Sequence, residues 1–211
     1  MIKNIIFDIG NVILNFDIDR VLNNITGDSS EQKFIMDNIY NSPEWTMYNF
    51  IDTGLLDRES CIKLQCDRSN HKNDELIRRF WLTYNEYAYV DVRVIELIKK
   101  LRKKYKIYLL SNMNEYTFEY LKKSDLFSVV DGYIMSFEVN QVKPYEGIYR
   151  SLLKKYNLIS NECIFIDDNI NNIFTANKLG IHGVHVKADN YDSIINELKK
   201  SNILESYEND V

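Results

Sequence analysis

Six polar side chains stand at or just after the ends of short apolar runs, where they could act together in chemistry. They are Asp8, Ser111, Asn112, Lys143, Asp167 and Asp168. Carboxylates gathered at one place repel each other as bare anions, and a divalent cation relieves that repulsion. An oxygen-only ligand set suits Mg²⁺, while a lysine, a hydroxyl and an amide could hold an anionic phosphoryl group. A nucleophilic carboxylate, a metal and donors to phosphoryl oxygens together predict phosphoryl transfer.

Each of these residues also has a simpler structural interpretation. Asp8 could cap the turn that follows its strand. The pairs at 111–112 and 167–168 could cap the helices that come after them, and a carboxylate there would favour the positive end of the helix dipole. Lys143 by itself is typical of a solvated surface lysine. Their joint occurrence in four separate segments, each placed by a predicted strand, favours the chemical interpretation.

The elements that must position these side chains are predicted strands rich in apolar, β-branched and aromatic residues. The runs are NIIFD (4–8), KIYLLS (106–111), GYIMSF (132–137), CIFIDD (163–168) and IHGVHV (181–186). Helical stripes separate them: Asp91 is placed to cap one helix, and Ile170, Ile173 and Phe174 form the stripe of another. This alternation predicts an α/β fold with a doubly wound, Rossmann-like parallel sheet. Ligands of such sheets bind beyond the carboxyl ends of the strands.

Residues 17–89 interrupt that alternation. Their apolar residues follow helical spacing, and no clear strand is predicted among them. We therefore predict a helical insertion of residues 17–89 after the first strand, and an α/β core domain of residues 1–16 and 90–211. The insertion contains many aromatic residues, which we expect to fill its own core rather than to stack on a ligand. They are Trp45, Tyr48, Phe50, Trp81, Tyr84, Tyr87 and Tyr89.

Composition narrows the class of protein. The 211 residues are 45% hydrophobic and 27% charged, which suits a globular protein with a substantial core. No apolar run approaches the ~20 residues of a membrane helix, and the N-terminus lacks the features of a signal peptide. The formal net charge of −5 disfavours nucleic acid as a partner. We expect a cytoplasmic protein without membrane or nucleic-acid partners.

The ordered set of motifs resembles the haloacid dehalogenase-like (HAD) superfamily over nearly the whole chain. FDIGNV carries Asp8, LLSN carries Ser111, VKP carries Lys143, and FIDDN carries Asp167 and Asp168. The longer stretch FDIGNVILNFDIDR is especially similar to bacterial phosphatases of this family that act on sugar phosphates, notably a glucose-1-phosphate type. The resemblance implies that the insertion of residues 17–89 is the family's helical cap domain.

The resemblance also implies a function. It suggests a Mg²⁺-dependent phosphatase of small phosphorylated metabolites, sugar phosphates first, in which Asp8 attacks phosphorus and water hydrolyses the resulting aspartyl-phosphate. The implied metal ligands are Asp8, the backbone carbonyl of Gly10, Asp167 and Asp168. The implied partners of the phosphoryl group and of the carboxylates are Ser111, Asn112 and Lys143.

Gly10 departs from the family pattern. Most phosphatases of the family carry an aspartate there, which serves as general acid and base, a role worth ~10²–10⁴-fold in rate. The chain could therefore be an enzyme restricted to good leaving groups. It could instead borrow Asp17, Asp19 or a substrate group as the acid. A third alternative is a phosphometabolite-binding or regulatory protein with little turnover. The similar sugar phosphatases carry the same glycine, so an active enzyme is favoured. Dehalogenation ranks lower, because it needs no metal and leaves the paired aspartates of FIDDN without a purpose.

Overall fold

The structure is a computed structural model that describes residues 1–40 and 51–204. The strands in these ranges are β1 (Asn4–Phe7), β2 (Leu14–Asn15), β3 (Tyr89–Val90), β4 (Lys106–Ser111), β5 (Gly132–Met135), β6 (Cys163–Asp167) and β7 (His182–His185). The α-helices are α1 (Ile18–Ile25), α2 (Ser29–Ile35), α3 (Arg58–Arg68), α4 (Asp74–Thr83), α5 (Val92–Leu101), α6 (Glu115–Leu121), α7 (Ser136–Val139), α8 (Glu146–Lys155), α9 (Ile170–Lys178) and α10 (Tyr191–Lys200). A π-helical turn covers Met36–Tyr40, and 3₁₀ turns cover Tyr84–Tyr87, Asp125–Val129 and Ser160–Glu162.

Five of these strands form one parallel sheet in the order β5-β4-β1-β6-β7. The chain starts at the central strand β1, adds β4 and β5 on one side, and then crosses over to add β6 and β7 on the other. This is the doubly wound topology that the alternation of strands and helices predicted, and it confirms the predicted fold class. Because all five strands run the same way, their carboxyl ends share one edge of the sheet.

The strands are apolar throughout because helices cover both faces of the sheet. Ile5, Phe7 and their neighbours on one face pack in a buried cluster with residues of α5, α6 and α10. Ile6, Phe165 and their neighbours on the other face pack with residues of α8 and α9. Successive side chains of a strand point to opposite faces, so alternate residues of β1 contribute to the two clusters.

Two local predictions differ from the structure. The run 132–137 is strand only as far as Met135, because the Ser136 hydroxyl accepts a hydrogen bond from Met113 N at 2.8 Å and starts the short helix α7. The apolar stripe predicted for α9 is also wrong in part. Ile173 is 4% exposed, but Ile170 and Phe174 are 58% and 71% exposed. The helix instead turns buried Asn172, Thr175 and Ala176 inward, and the reason for Asn172 lies in the site described below.

The inserted segment has a hydrophobic cluster of its own. Residues of α1 to α4 and of the 3₁₀ turn Tyr84–Tyr87 bury one another there. Trp81 and Tyr84 are among them, with their rings 5.9 Å apart, whereas Tyr89 is exposed. The two-residue strands β2 and β3 pair antiparallel at the two ends of the segment, so a strand does begin at its last residue. Trp45, Tyr48 and Phe50 lie outside the described residues. The division into a core domain and a cap of residues 17–89 stays a prediction.

No helix among the described residues is both long enough and apolar enough to cross a membrane.

Candidate active site

Three carboxylates meet at the carboxyl edge of the sheet. Asp8 follows β1, and Asp167 and Asp168 end and follow the neighbouring strand β6. Carboxylate oxygens of these residues, one from each, all lie within 4.8 Å of one another. Asp8 and Asp167 are buried and Asp168 is half-buried. The parallel pairing of β1 with β6 therefore brings together residues that are about 160 positions apart in the sequence.

Lys143 sits between two of these carboxylates. Its Nζ lies 2.7 Å from Oδ1 of Asp8 and 2.7 Å from Oδ2 of Asp167, and the residue is only 4% exposed. The surface-lysine interpretation is therefore wrong. Burial lowers the pKa of Lys143, but the two carboxylates outweigh this effect and raise it, so the ammonium stays charged.

Asn112 holds the backbone of Lys143 in place. Its amide oxygen accepts a hydrogen bond from Lys143 N at 2.7 Å, and its Nδ2 donates to Lys143 O at 2.9 Å. Ser111 is buried at the end of β4, and its hydroxyl donates to Asn112 O at 3.4 Å. Neither residue caps the next helix, because Asn114 caps α6 by accepting from Thr117 N. A part for Ser111 and Asn112 in binding a phosphoryl group stays a prediction.

Asp167 has both oxygens occupied by hydrogen-bond donors. Oδ1 accepts from Asn169 N at 2.7 Å, and Asn172 Nδ2 lies 3.0 Å from each oxygen, while Lys143 occupies Oδ2. Asp168 is freer, since its Oδ2 accepts from Asn11 Nδ2 at 3.2 Å and no donor within residues 1–40 and 51–204 contacts its Oδ1. Asn169 caps α9, so neither aspartate has the capping role. Asp168 is thus better placed than Asp167 to bind a metal directly.

Asn11 and Asn172 are site residues that the sequence reasoning missed. Asn172 lies in the first turn of α9, five residues after Asp167, which is a spacing that could have suggested contact with a strand-end carboxylate. Asn11 directly follows Gly10 and has a positive φ of 54°, a conformation that asparagine tolerates better than most residues. In both cases the side-chain amide orients an aspartate.

The site is short of positive charge. Burial raises the pKa of Asp8 to about 7, against the lowering effect of Lys143 and with a further rise from Asp167. Burial also raises the pKa of Asp168, and its hydrogen bond with Asn11 opposes that rise. One lysine therefore does not compensate three carboxylates. Oδ2 of Asp8 accepts no hydrogen bond from the described residues, so this oxygen-only donor set fits a hard divalent cation.

Gly10 leaves space beside Asp8. A Cβ at this position would meet no atom within 4 Å. The Gly10 carbonyl accepts no hydrogen bond from residues 1–40 and 51–204, which leaves it available as a ligand. The use of this carbonyl as a metal ligand stays a prediction.

A cavity of about 380 Å³ opens beside Gly10. Its wall combines the apolar Leu14 and Phe16 with polar side chains from the inserted segment and from the β4 edge. The polar members beyond the carboxylate edge are Tyr40, Asp52, Tyr84, Asn85, Asn114 and Thr117. Asp17 and Asp19, which the sequence offered as replacement acids, are exposed and do not line it, and Asp17 caps α1 by accepting from Arg20 N.

Comparisons with known proteins show which family the sequence resembles. A family model of haloacid dehalogenase-like hydrolases matches residues 2–180. The chain is 29% identical over 196 residues to the D-ribitol-5-phosphate phosphatase of Bacteroides thetaiotaomicron, which covers 85% of this chain and 89% of the relative. The predicted resemblance to this family and to its sugar-phosphate phosphatases is confirmed.

Two solved structures share the fold. A HAD family enzyme of Bacteroides thetaiotaomicron, in complex with magnesium and inorganic phosphate, has a TM-score of 0.75 at 24% identity, covering 92% of this chain and 99% of that one. A HAD-like family hydrolase of Porphyromonas gingivalis has a TM-score of 0.74 at 21% identity, covering 98% of this chain and 100% of that one.

Proposed function

The chain belongs to the haloacid dehalogenase-like hydrolases, and from this premise we propose that it is a Mg²⁺-dependent phosphoric monoester hydrolase of small phosphorylated metabolites, with sugar and polyol phosphates favoured. One observation carries the proposal: Lys143 clamps Asp8 beside a cluster of carboxylates that lacks positive charge, next to a cavity large enough for a small metabolite. We include residues 17–89 in the proposal as the cap that forms the outer wall of this cavity.

We place the metal with Asp8, the Gly10 carbonyl and Asp168, while Asp167 supports the site through Lys143. Mg²⁺, when bound, supplies the positive charge that draws a phosphoryl group to Asp8 and offsets charge on its oxygens. For the Gly10 carbonyl and Asp168 this assignment follows from oxygens to which no described residue donates, and for Asp8 it follows from its place beside Asp168. Asp167 has no such oxygen, because Asn169, Asn172 and Lys143 occupy both of its oxygens.

The chain's own residues then divide the work of phosphoryl transfer. Asp8 is the nucleophile: Oδ1 is fixed by Lys143 and by Ile9 N at 2.6 Å, so Oδ2 is the oxygen left to form the bond to phosphorus. Lys143 lowers the pKa of Asp8, which favours the ionised carboxylate, and it orients this group. The Ser111 hydroxyl and backbone amides at the β4 edge would contact the phosphoryl oxygens, and Asn112 holds Lys143 in register.

The cavity supports a polyhydroxylated substrate. Its polar wall consists of amides, hydroxyls and one carboxyl, and no lysine, arginine or histidine is among the described residues that line it. Such a wall can exchange hydrogen bonds with the hydroxyl groups of a sugar or polyol, whereas a second phosphate would find no cation there. The similarity to a D-ribitol-5-phosphate phosphatase supports the same class.

A phosphatase assay tests the proposal. We expect phosphate release from p-nitrophenyl phosphate and from sugar or polyol phosphates in the presence of Mg²⁺, and no release in EDTA or after Asp8→Asn. Asp28→Asn is the matched control: Asp28 caps α2 away from the cavity, and asparagine caps as well as aspartate, so activity should be unchanged. Activity that persists in Asp8→Asn or in EDTA would contradict the proposal.

A second candidate function follows from Gly10, which carries no acid. A phosphometabolite-binding protein with little turnover would show a Mg²⁺-dependent thermal shift with sugar phosphates and no phosphate release from any of them. The same panel of compounds therefore separates the two functions.

A further inference from the structure

The missing acid at position 10 leaves the leaving group without an obvious proton donor on the sheet side of the cavity. Gly10 lines the cavity, and its Cα faces open space. Within the described part of the chain, Asp52 is the carboxylic acid on the same cavity wall. It comes from the inserted segment, whereas Gly10 comes from the segment that follows strand β1.

Asp52 is held firmly against the β4 edge. Its Oδ1 accepts a hydrogen bond from Asn114 Nδ2 at 3.1 Å, and its backbone carbonyl accepts from the Ser136 hydroxyl. Two further contacts hold the following residues: Asn140 Nδ2 donates to Thr53 O at 2.7 Å, and Gly54 packs on Phe137. The carboxyl is therefore part of a docked segment rather than a loose surface side chain.

The second oxygen of Asp52, Oδ2, has no hydrogen-bond donor among the described residues. No cation within residues 1–40 and 51–204 pairs with the carboxylate. Burial raises the pKa of Asp52 to about 7, opposed by the Asn114 hydrogen bond. Among the described residues, the titratable groups that interact electrostatically with Asp52 are the Tyr84 hydroxyl and the Cys61 thiol. Burial raises the pKa of both, that of Cys61 to about 11, so both remain neutral near pH 7.

We propose that Asp52 is the general acid and base of this phosphatase, donating a proton to the leaving group from the wall of the cavity that Gly10 also lines. The inference rests on the proposed function. As Asp8 Oδ2 bonds to phosphorus, the P–O ester bond breaks with its electron pair on the leaving oxygen. The Asp52 proton passes to that oxygen, giving a neutral alcohol and an Asp52 carboxylate. Water then attacks the aspartyl-phosphate and gives a proton to Asp52, which releases Asp8 and inorganic phosphate.

The decisive experiment measures kcat/KM for aryl phosphates of similar size whose leaving groups range from p-nitrophenol to unsubstituted phenol and on to less acidic phenols. Using one shape of substrate separates proton transfer from recognition of a polyol. Asp52→Asn keeps an oxygen for Asn114 and the same volume, but it carries no transferable proton. We expect a fall of ~10²–10⁴-fold on the poorest leaving groups and less than ~10-fold on p-nitrophenyl phosphate.

Two further variants complete the test. Asn85→Ala removes another polar group of the cavity wall and should lower kcat/KM for all of the aryl phosphates by one common factor. Gly10→Asp has room for its side chain. In the Asp52→Asn background it should raise kcat/KM for substrates with poor leaving groups by ~10-fold or more. A circular dichroism melt establishes that each variant is folded, and Asp52→Ser carries the same test should the asparagine variant fail to fold.

Each result has one meaning. An equal fall for all leaving groups in Asp52→Asn, or no fall, would overturn the role of Asp52 while leaving the phosphatase intact. Absence of Mg²⁺-dependent hydrolysis in the wild-type protein, even of p-nitrophenyl phosphate, would overturn the proposed function itself.

Discussion

Replacing Lys143 by methionine should destabilise the metal-free protein strongly. Methionine has nearly the same length, so it fills the space of the lysine but leaves Asp8 and Asp167 buried without their shared cation. The variant therefore isolates the electrostatic part of the interaction from its packing part. It tests whether the site is charged and clamped as its geometry indicates.

The magnitude follows from the two contacts of 2.7 Å between Nζ and the carboxylate oxygens. At an effective dielectric constant of about 20, Coulomb's law gives about 6 kcal/mol for a unit pair at this separation. Desolvation of the ammonium and repulsion between the carboxylates offset much of the gross attraction. Removing one partner of such a buried pair typically costs about 3–5 kcal/mol. In a chain of this size, that loss lowers Tm by about 6–20 °C.

The effect should also depend on pH. The folded-state pKa of Asp8 is about 7, above the usual 3.8. Protonation of Asp8 therefore contributes stability that is complete below pH ~4 and is lost as the pH rises through 7. Without Lys143 the lowering effect is gone and the pKa of Asp8 rises further, so the variant continues to lose stability above pH 7. The gap between the two proteins should be larger at pH 8 than at pH 5.

Urea unfolding in EDTA at pH 5 and pH 8 measures these differences. Asp8→Asn provides the matched background: no described residue donates to Asp8 Oδ2, so the new amide group is placed there without losing a hydrogen bond from these residues. In the Asp8→Asn background, the loss of unfolding free energy caused by Lys143→Met should be smaller by about 1–3 kcal/mol than in the wild-type protein, as expected for groups in contact. A loss below ~1 kcal/mol at pH 8, or an equal loss in both backgrounds, would refute the reasoning.

Three further predictions concern other parts of the molecule. Gly132→Ala would place a Cβ 2.3 Å from a ring carbon of Tyr156, the residue that follows α8. It should lower the free energy of unfolding in urea by about 1–3 kcal/mol without changing KM. Asn172→Leu removes the Nδ2 donor that contacts both oxygens of Asp167, and should lower both turnover and stability, the latter by about 1–3 kcal/mol. The hydrogen bond with Asp74 raises the pKa of His71 above its usual 6.5. Protonated His71 therefore contributes stability that is complete below pH 6.5 and is lost as the pH rises through the raised pKa. An NMR titration should find this pKa above 6.5 and see it return toward 6.5 in Asp74→Asn; a pKa of 6.5 or lower in the wild-type protein would contradict this prediction.

Local sequence was enough to predict most elements. KIYLLS is strand β4 with the predicted bounds, and Asp91 caps α5 by accepting from Arg93 N. These features depend on apolar periodicity and on side chains that form hydrogen bonds with nearby backbone, and both involve only residues close together in the sequence. The end of β5 was not predictable in this way, because the hydroxyl of Ser136 bonds to Met113, 23 positions away.

The sequence by itself also determined that the candidate site residues meet. Parallel strands end at one edge of a sheet, so an alternating pattern of strands and helices places Asp8, Ser111 and Asp167 together whatever the details of packing. Tertiary structure alone decided which carboxylate oxygens of the site have hydrogen-bond donors among the described residues. These donors include Asn11, Lys143 and Asn172, and their contacts depend on how helices and loops are placed. Tertiary structure alone also decided that Asp52 and Gly10 line one cavity. Side-chain reach is a few ångströms, whereas the segments that carry these groups are brought within that reach only by the packing of the whole chain.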